Sequence, residues 1–167
     1  MGWFSKFFKA VPREEMAGIC LDRSRPYWEI PGPETFVEIF RALQRWPYRD
    51  SILYFEGGSP DQEITNFMKA HAIPEQAHVT MGTIWPRPKI FHVPANESTL
   101  TMLATIMERH AEPELAVHFH IYQGARVLLE WYDAFSLPIL LSGDIPEEEI
   151  KSFAEIVGKK YQKKLAS

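Results

Sequence analysis

The feature that most constrains the fold is a regular alternation of side chains between Leu115 and Tyr122. Large apolar residues occupy every second position. Because successive side chains of a β-strand point to opposite faces, this segment predicts a strand with one apolar face. The segment Arg126–Tyr132 follows after a glycine and also reads as a strand. Together the two segments predict an antiparallel β-hairpin whose large apolar side chains share one face.

The length of the hairpin loop decides which side chains lie opposite each other. A two-residue loop at Gln123–Gly124 would place charged residues on the apolar face. A three-residue loop, Gln123–Ala125 with its glycine in a left-handed conformation, keeps the large apolar residues together and is therefore predicted. On the other face this register gives the following pairs: His118 with Glu130, His120 with Leu128, and Tyr122 with Arg126.

Segments with helical or strand periodicity surround the hairpin. Helices are predicted over 33–46, 60–71, 96–110 and from 144 onward, and strands over 51–55, 78–84, 89–93, 115–122, 126–132 and 138–141. Ser59 and Asn96 are expected to cap helices, and the segment from Asp144 to Glu147 has the pattern of a capping box. The proline- and glycine-rich segment 23–33 predicts an ordered loop. The fold class is α+β: a mixed, largely antiparallel sheet of five to six strands with about four helices packed on it, as a two- or three-layer α/β sandwich.

The domain organisation is predicted to be one domain with an N-terminal extension. A chain of 167 residues with 46% hydrophobic residues suits a single core. Residues 1–12 form an amphipathic segment and 13–167 the single α+β domain. Aromatic residues recur at helical spacing in the extension: Trp3, Phe4, Phe7 and Phe8. This stripe can dock on its own domain, on a second subunit or on a membrane surface.

Composition excludes several classes of function. The 18 basic residues against 22 acidic ones give a net charge of −4, which disfavours nucleic acid as a partner. A single cysteine, Cys20, rules out an internal disulfide and a cysteine-based zinc cage and favours a cytoplasmic location. Its apolar neighbours predict a buried, inert thiol. No apolar run reaches the roughly 20 residues that a membrane span requires. The absence of nucleotide-binding glycine motifs means that no cofactor is predicted.

The polar face of the hairpin is one candidate binding site, formed by His118, His120, Tyr122 and Glu130. Two histidines with an opposing carboxylate are the residue types of a non-haem iron site or an open zinc site. The alternative is an ordinary cross-strand pair between structural or surface histidines, which we favour, so no metal is predicted. His118 tuned by Glu130 could act as a general acid or base. The sequence supplies no nucleophile or oxyanion hole to complete such a site.

A second candidate site is the segment from Trp85 to Pro88, in which prolines alternate with Trp85 and Arg87. The prolines hold both residues in an extended loop, and tryptophan and arginine are the residue types that dominate interface energetics. The loop can therefore contact a partner. The alternative is that Trp85 covers the core and Arg87 forms a local ion pair.

The resulting functional hypothesis is a non-catalytic module that binds another protein or a second copy of itself, in which case it can form a homodimer. Two alternatives stay open. One is an enzyme or a small-ligand or metal-binding protein that uses His118, His120 and Glu130. The other is peripheral membrane association through the aromatic stripe of the N-terminal segment.

Overall fold

The computed structural model describes residues 10–166. Most of the predicted N-terminal segment 1–12, including its aromatic stripe, lies outside these residues. The described part forms six helices and seven strands. The helices are α1 (Arg13–Met16), α2 (Phe36–Leu43), α3 (Gln62–His71), α4 (Glu97–Met107), α5 (Glu112–Leu115) and α6 (Glu147–Ile156). The strands are β1 (Tyr27–Ile30), β2 (Ile52–Gly57), β3 (Ile90–Pro94), β4 (Ala116–Gln123), β5 (Arg126–Trp131), β6 (Ile139–Ser142) and β7 (Gln162–Lys164).

The strands form one sheet in the order β3-β2-β4-β5-β6-β1-β7, and each neighbouring pair is antiparallel. The α+β prediction is confirmed, with a somewhat higher strand count than predicted. One additional strand, β1, lies within the segment 23–33 that was predicted to be a loop. Its alternate residues Trp28 and Ile30 are buried, while prolines on both sides give the segment the composition of a turn. The other, β7, is a three-residue edge strand.

One face of the sheet is covered by helices. Residues of α2, α3, α4 and α6 share a core with the apolar side chains of the strands. Phe36 of α2 lies at its centre, in edge-to-face contact with Phe119 at 5.7 Å and with Trp131 at 5.8 Å between ring centroids. Thr35 caps α2 in a reciprocal capping box with Glu38, so the helix is shorter than the predicted 33–46. None of the described helices is long and apolar enough to cross a bilayer.

The opposite face is covered by irregular chain, mainly from residues 16–23 and 72–84. Leu21 and Val79 from these segments pack on Tyr54, Tyr122 and Val127 of the sheet. The predicted strand 78–84 is therefore wrong, because its ladder is limited to a single bridge between Ile19 and Val79. The two irregular segments also bind each other, since the Ile19 amide donates to the His78 carbonyl at 2.8 Å. This irregular layer needs many hydrogen-bond partners for its backbone.

Three local predictions are corrected by the structure. The N-cap of α3 is Asp61, which accepts from the Ile64 amide at 3.0 Å, whereas the predicted cap, Ser59, lies in the preceding loop. The predicted capping box at Asp144 does not form, because α6 begins after Pro146 and Asp144 pairs with Arg25. The thiol of Cys20 is exposed rather than buried. Its neighbour Leu21 fills the core position in the same segment.

Candidate functional site

A row of paired side chains crosses all seven strands on the face covered by irregular chain. Its members are His92, Tyr54, His120, Glu130, Leu140, Glu29 and Gln162, each the cross-strand partner of the next. We call this set the polar row. It is buried from β3 to β5 and becomes progressively exposed towards β7. Buried polar groups require hydrogen-bond partners, so the contacts of this row indicate what each group can do.

The hairpin register differs from the predicted one. Gln123 pairs with Arg126, so the loop contains only two residues, and Gly124 in it has a φ of 59°. A β-bulge beside Tyr122 then shifts the register by one residue. Glu130 consequently lies opposite His120, and the predicted pairing of His118 with Glu130 is wrong. Phe119, Ile121, Leu129 and Trp131 lie on the helical face, as predicted, whereas Val127 packs with Tyr122 on the other face.

His118 lies opposite Glu56 of β2, a fully buried carboxylate. Glu56 accepts hydrogen bonds from the Tyr54 hydroxyl at 2.7 Å, from the Gly82 amide at 3.1 Å and from the Thr83 amide at 2.6 Å. Burial, followed by the charge of Glu56, raises the pKa of Tyr54, which keeps the hydroxyl protonated as a donor. We call these contacts the Glu56 anchor. They attach the irregular segment around Thr83 to the sheet.

The two nitrogens of His118 are both engaged. Nδ1 accepts from the Asp133 amide at 2.9 Å, so the ring proton lies on Nε2, which is 3.1 Å from Oγ1 of Thr83. A Cβ at Gly82 would lie only 2.6 Å from Nε2, and the ring therefore requires glycine at that position. His118 thus holds two loops in place and has no free nitrogen for a ligand.

His120 is the most enclosed histidine, with 1% of its surface exposed. Its Nδ1 accepts from the Trp131 amide at 3.2 Å, so the proton lies on Nε2, which has no hydrogen-bond partner among the described residues. Burial, assisted by the nearby His118, lowers the pKa of His120 to about 3. The ring is therefore neutral at physiological pH, packed against Tyr132 at 4.5 Å between centroids.

Tyr122 lies opposite Val127 rather than opposite the predicted Arg126. Its hydroxyl is 2.8 Å from Nδ1 of His92, inside the layer between the sheet and the irregular chain. Burial raises the pKa of Tyr122 and lowers that of His92, so both groups are neutral partners. Tyr122 therefore contacts His92 of β3 and lies away from Glu130, although the sequence placed both in one site.

Glu130 is buried, and both of its oxygens are occupied. Oε2 accepts from the Leu21 amide at 2.8 Å, and Oε1 accepts from Nη2 of Arg23 at 2.6 Å. The Glu130 carboxylate therefore attaches the irregular segment 16–23 to the sheet, as Glu56 does for the segment 72–84. With its oxygens and both nitrogens of His118 engaged, the alternative metal site of His118, His120 and Glu130 has no free ligand set in this geometry.

A pocket of about 210 Å³ opens beside Glu130, where the irregular layer ends. Tyr27, Tyr132 and Leu140 contribute to its lining, together with Arg23 and Glu29. Its charged groups are already paired, since Arg23 binds Glu130, and Glu29 accepts from Gln162 and pairs with Lys164. The volume is below the roughly 300 Å³ of most small-molecule sites. The pocket therefore has no unpaired charge with which to orient a charged substrate.

The loop from Trp85 to Pro88, which we call the Trp85 loop, lies at the surface, unlike the buried part of the polar row. Ile84 and Trp85 are adjacent and expose 58% and 55% of their surfaces. The Ile84 carbonyl accepts from the Val11 amide at 2.8 Å, and Arg87 forms an ion pair with Glu15 at 2.9 Å. The alternative to a partner contact was that Arg87 forms a local ion pair and Trp85 covers the core. The ion pair of Arg87 is present, whereas Trp85 is not buried in the core. We call Ile84, Trp85, Glu15 and Arg87 the Trp85 surface.

The sequence interpretation missed the residue that supports this surface, Glu56. The sequence did contain an indication of its role. Glu56 ends the apolar run of a buried strand, and a buried carboxylate requires hydrogen-bond donors. The donors themselves, at Gly82 and Thr83, could not be identified from spacing.

Comparison of the chain with protein-family models, with curated proteins and with solved structures finds no match.

Proposed function

We propose that the chain is a non-catalytic cytoplasmic module that forms a homodimer through the Trp85 surface. The observation that carries this proposal is the exposure of two adjacent large apolar side chains, Ile84 and Trp85. Contiguous exposed apolar groups mark interaction sites more often than isolated ones, and tryptophan is a frequent anchor in interfaces.

The Trp85 surface is rigidly supported, which favours binding. The Glu56 anchor fixes the backbone of Gly82 and Thr83 directly before Ile84, and the Val11 amide fixes the Ile84 carbonyl. A preorganised loop loses little conformational entropy when it binds, so its apolar contacts contribute more fully to affinity.

The charges of the surface favour a second copy of this chain as the occupant. Arg87 and Glu15 place one charge of each sign beside the apolar centre, and both side chains are exposed. A two-fold symmetric interface places the same patch against itself, so a patch that carries both signs can be complementary to its own copy. An anionic membrane instead attracts surfaces with an excess of positive charge.

The buried polar groups of this sheet face support a non-catalytic role. Both oxygens of Glu130 and both nitrogens of His118 are engaged, each residue with one backbone amide and one side chain of the surrounding loops, and His120 is neutral. A general acid or base needs a titratable group near the working pH that can reach a substrate. These groups act instead as supports for the irregular layer.

Sedimentation velocity of the full chain over a dilution series tests the proposal. We expect a concentration-dependent dimer for the unmodified chain, and a dissociation constant raised about thirtyfold by Trp85→Ala, as for an interface residue worth about 2 kcal/mol. Leu137→Ser is the matched control, since Leu137 is an exposed leucine on a different loop and its loss should leave the dimer unchanged. A monomer at every concentration, or equal effects of both substitutions, would overturn the proposal.

Vesicle binding separates the dimer from the membrane alternative. Anionic phospholipid vesicles are sedimented with the full chain and with a Phe7→Ser, Phe8→Ser variant. The dimer proposal expects little of either protein in the vesicle pellet. Strong binding that is lost in the variant, without a dimer in solution, would assign the aromatic stripe to a membrane surface instead.

A further inference from the structure

A separate cluster of metal-ligating side chains lies outside the polar row and the Trp85 surface. Asp61, His110 and Glu114 each bring one ligand atom to within 4.8 Å of the others. Asp61 is the N-cap of α3, His110 follows the end of α4, and Glu114 belongs to α5. Three separate elements therefore present one imidazole nitrogen and two carboxylate oxygens to a common point.

The ring of His110 is oriented for this role. Its side chain is 7% exposed, and Nδ1 donates to the Ile106 carbonyl at 2.8 Å. Nε2 is thereby directed at Oδ2 of Asp61, 2.9 Å away. A metal-binding histidine characteristically donates its other ring N–H to a carbonyl or carboxylate, which fixes the tautomer and the direction of the coordinating nitrogen. His110 has this arrangement, unlike His118 and His120, whose Nδ1 atoms accept from backbone amides.

The two carboxylates are each held by one oxygen and leave the other for a cation. Oδ1 of Asp61 accepts from the Ile64 amide at 3.0 Å, and Oε1 of Glu114 accepts from the Ala111 amide at 3.1 Å. These helix caps fix the direction of both side chains. Such prior ordering reduces the entropy that a ligand-bound geometry would otherwise lose.

The loops that carry the carboxylates are packed against each other. The Ser59 amide donates to the Pro113 carbonyl at 3.1 Å. A Cβ at Gly58 would lie 2.2 Å from the Leu115 carbonyl oxygen, so glycine is required for this close approach. The separation of Asp61 from Glu114 is therefore set by backbone contacts on both sides.

We propose that Asp61, His110 and Glu114 bind a zinc ion, with water as the remaining ligand. Zinc accepts mixed nitrogen and oxygen ligands in tetrahedral geometry, and an imidazole with two carboxylates supplies three of its four positions. The bound ion replaces the proton that the His110 and Asp61 pair can share, and it joins α3 to the segment after α4. Its role is structural, so the site is independent of the proposed dimer.

Two further charged groups face the cluster. Oε2 of Glu63 lies 3.6 Å from Nε2 of His110, and Glu63 is itself paired with Arg109. The pair is close to neutral, so the net charge at the ligand atoms is that of Asp61 and Glu114. Without zinc, the Ile106 carbonyl and Asp61 raise the pKa of His110, and the proton competes with the metal.

Isothermal titration of the full chain with zinc chloride, after removal of metal by a chelator and at mildly alkaline pH, tests the site. We expect one zinc ion per chain, with the affinity lowered at least tenfold in His110→Gln and in Glu114→Gln. The matched control is His78→Gln, because His78 pairs with Glu75 at 3.0 Å on the surface. This control should bind zinc like the unmodified chain.

Cobalt substitution gives a readout of coordination that does not depend on stability. The cobalt-loaded chain should show the intense visible absorption of a four-coordinate ion, and His110→Gln should lose it while its far-ultraviolet circular dichroism stays unchanged. Absence of zinc binding in the unmodified chain, or equal binding in all variants, would overturn the proposal. If His110→Gln fails to fold, Glu114→Gln provides the same comparison.

Discussion

Replacement of Glu56 by glutamine tests whether the buried carboxylates support the irregular layer. The unmodified side chain accepts from one hydroxyl and two backbone amides, and it is completely buried. An amide group offers a single acceptor oxygen and turns an N–H towards donors that previously faced a carboxylate oxygen. The substitution therefore conserves shape but reverses part of the hydrogen-bond pattern.

The expected loss of stability follows from these contacts. Hydrogen bonds to a charged group contribute about 1.5–3 kcal/mol each, and a buried donor left without a partner costs about 1–3 kcal/mol. Because Gln retains an acceptor oxygen for some of the donors, we expect Glu56→Gln to lower the free energy of unfolding by about 2–4 kcal/mol. The Trp85 loop, which follows the anchored residues directly, should also become more mobile.

Urea unfolding followed by circular dichroism measures the change. Glu108→Gln is the matched control, since Glu108 forms an exposed ion pair with Arg41 and its loss should change stability by less than about 1 kcal/mol. Amide hydrogen exchange at Gly82 and Thr83 should accelerate in Glu56→Gln alone. A loss of stability no larger than that of the control, with unchanged exchange, would refute the assignment of Glu56 as a structural anchor.

Two further outcomes are expected. Because burial lowers the folded pKa of His120 to about 3 while its unfolded value lies near 6.5, the unfolded chain binds the extra proton between these values, so the contribution of His120 to the free energy of unfolding should fall by about 1.4 kcal/mol for each pH unit from 6.5 down to about 3. Proton NMR should then show no titration of the His120 ring above about pH 4, and a titration near neutrality would contradict its burial. Phe36→Ala should lower the free energy of unfolding by about 3–5 kcal/mol in urea, and a loss below about 1 kcal/mol would place Phe36 outside the core.

The four longer helices and the two strands of the central hairpin could be predicted because their periodicity is local, whereas the short helices α1 and α5 were not predicted. Phe36, Ile39, Phe40 and Leu43 recur at the spacing of one helix face, and all four are buried in α2. The α+β class follows from such segments in alternation with strands. The short strand β1 escaped prediction because its burial depends on pairing with β6, far away in the chain, and not on its own composition.

The candidate site was less predictable, because its register depends on a β-bulge. Relative to the predicted hairpin, the observed two-residue turn and the bulge near Tyr122 each shift the register by one residue, so Glu130 lies opposite His120 rather than His118, and a bulge of this type leaves no distinctive residue in the sequence. The cluster of the proposed zinc site was missed for a related reason. His110 could be interpreted only as a cation near a helix end until the contact between the Gly58 loop and α5 brought Glu114 and Asp61 together.

The proposed dimer is tested most directly by NMR of the full chain over a dilution series, observed at the indole N–H of Trp85. We expect the Trp85 signal and the methyl signals of Ile84 to shift together and to saturate with concentration, while the methyl signals of Leu137 stay fixed. Signals of Ile84 and Trp85 that do not change with concentration, or equal shifts at Leu137, would contradict the assignment of this surface as the dimer interface.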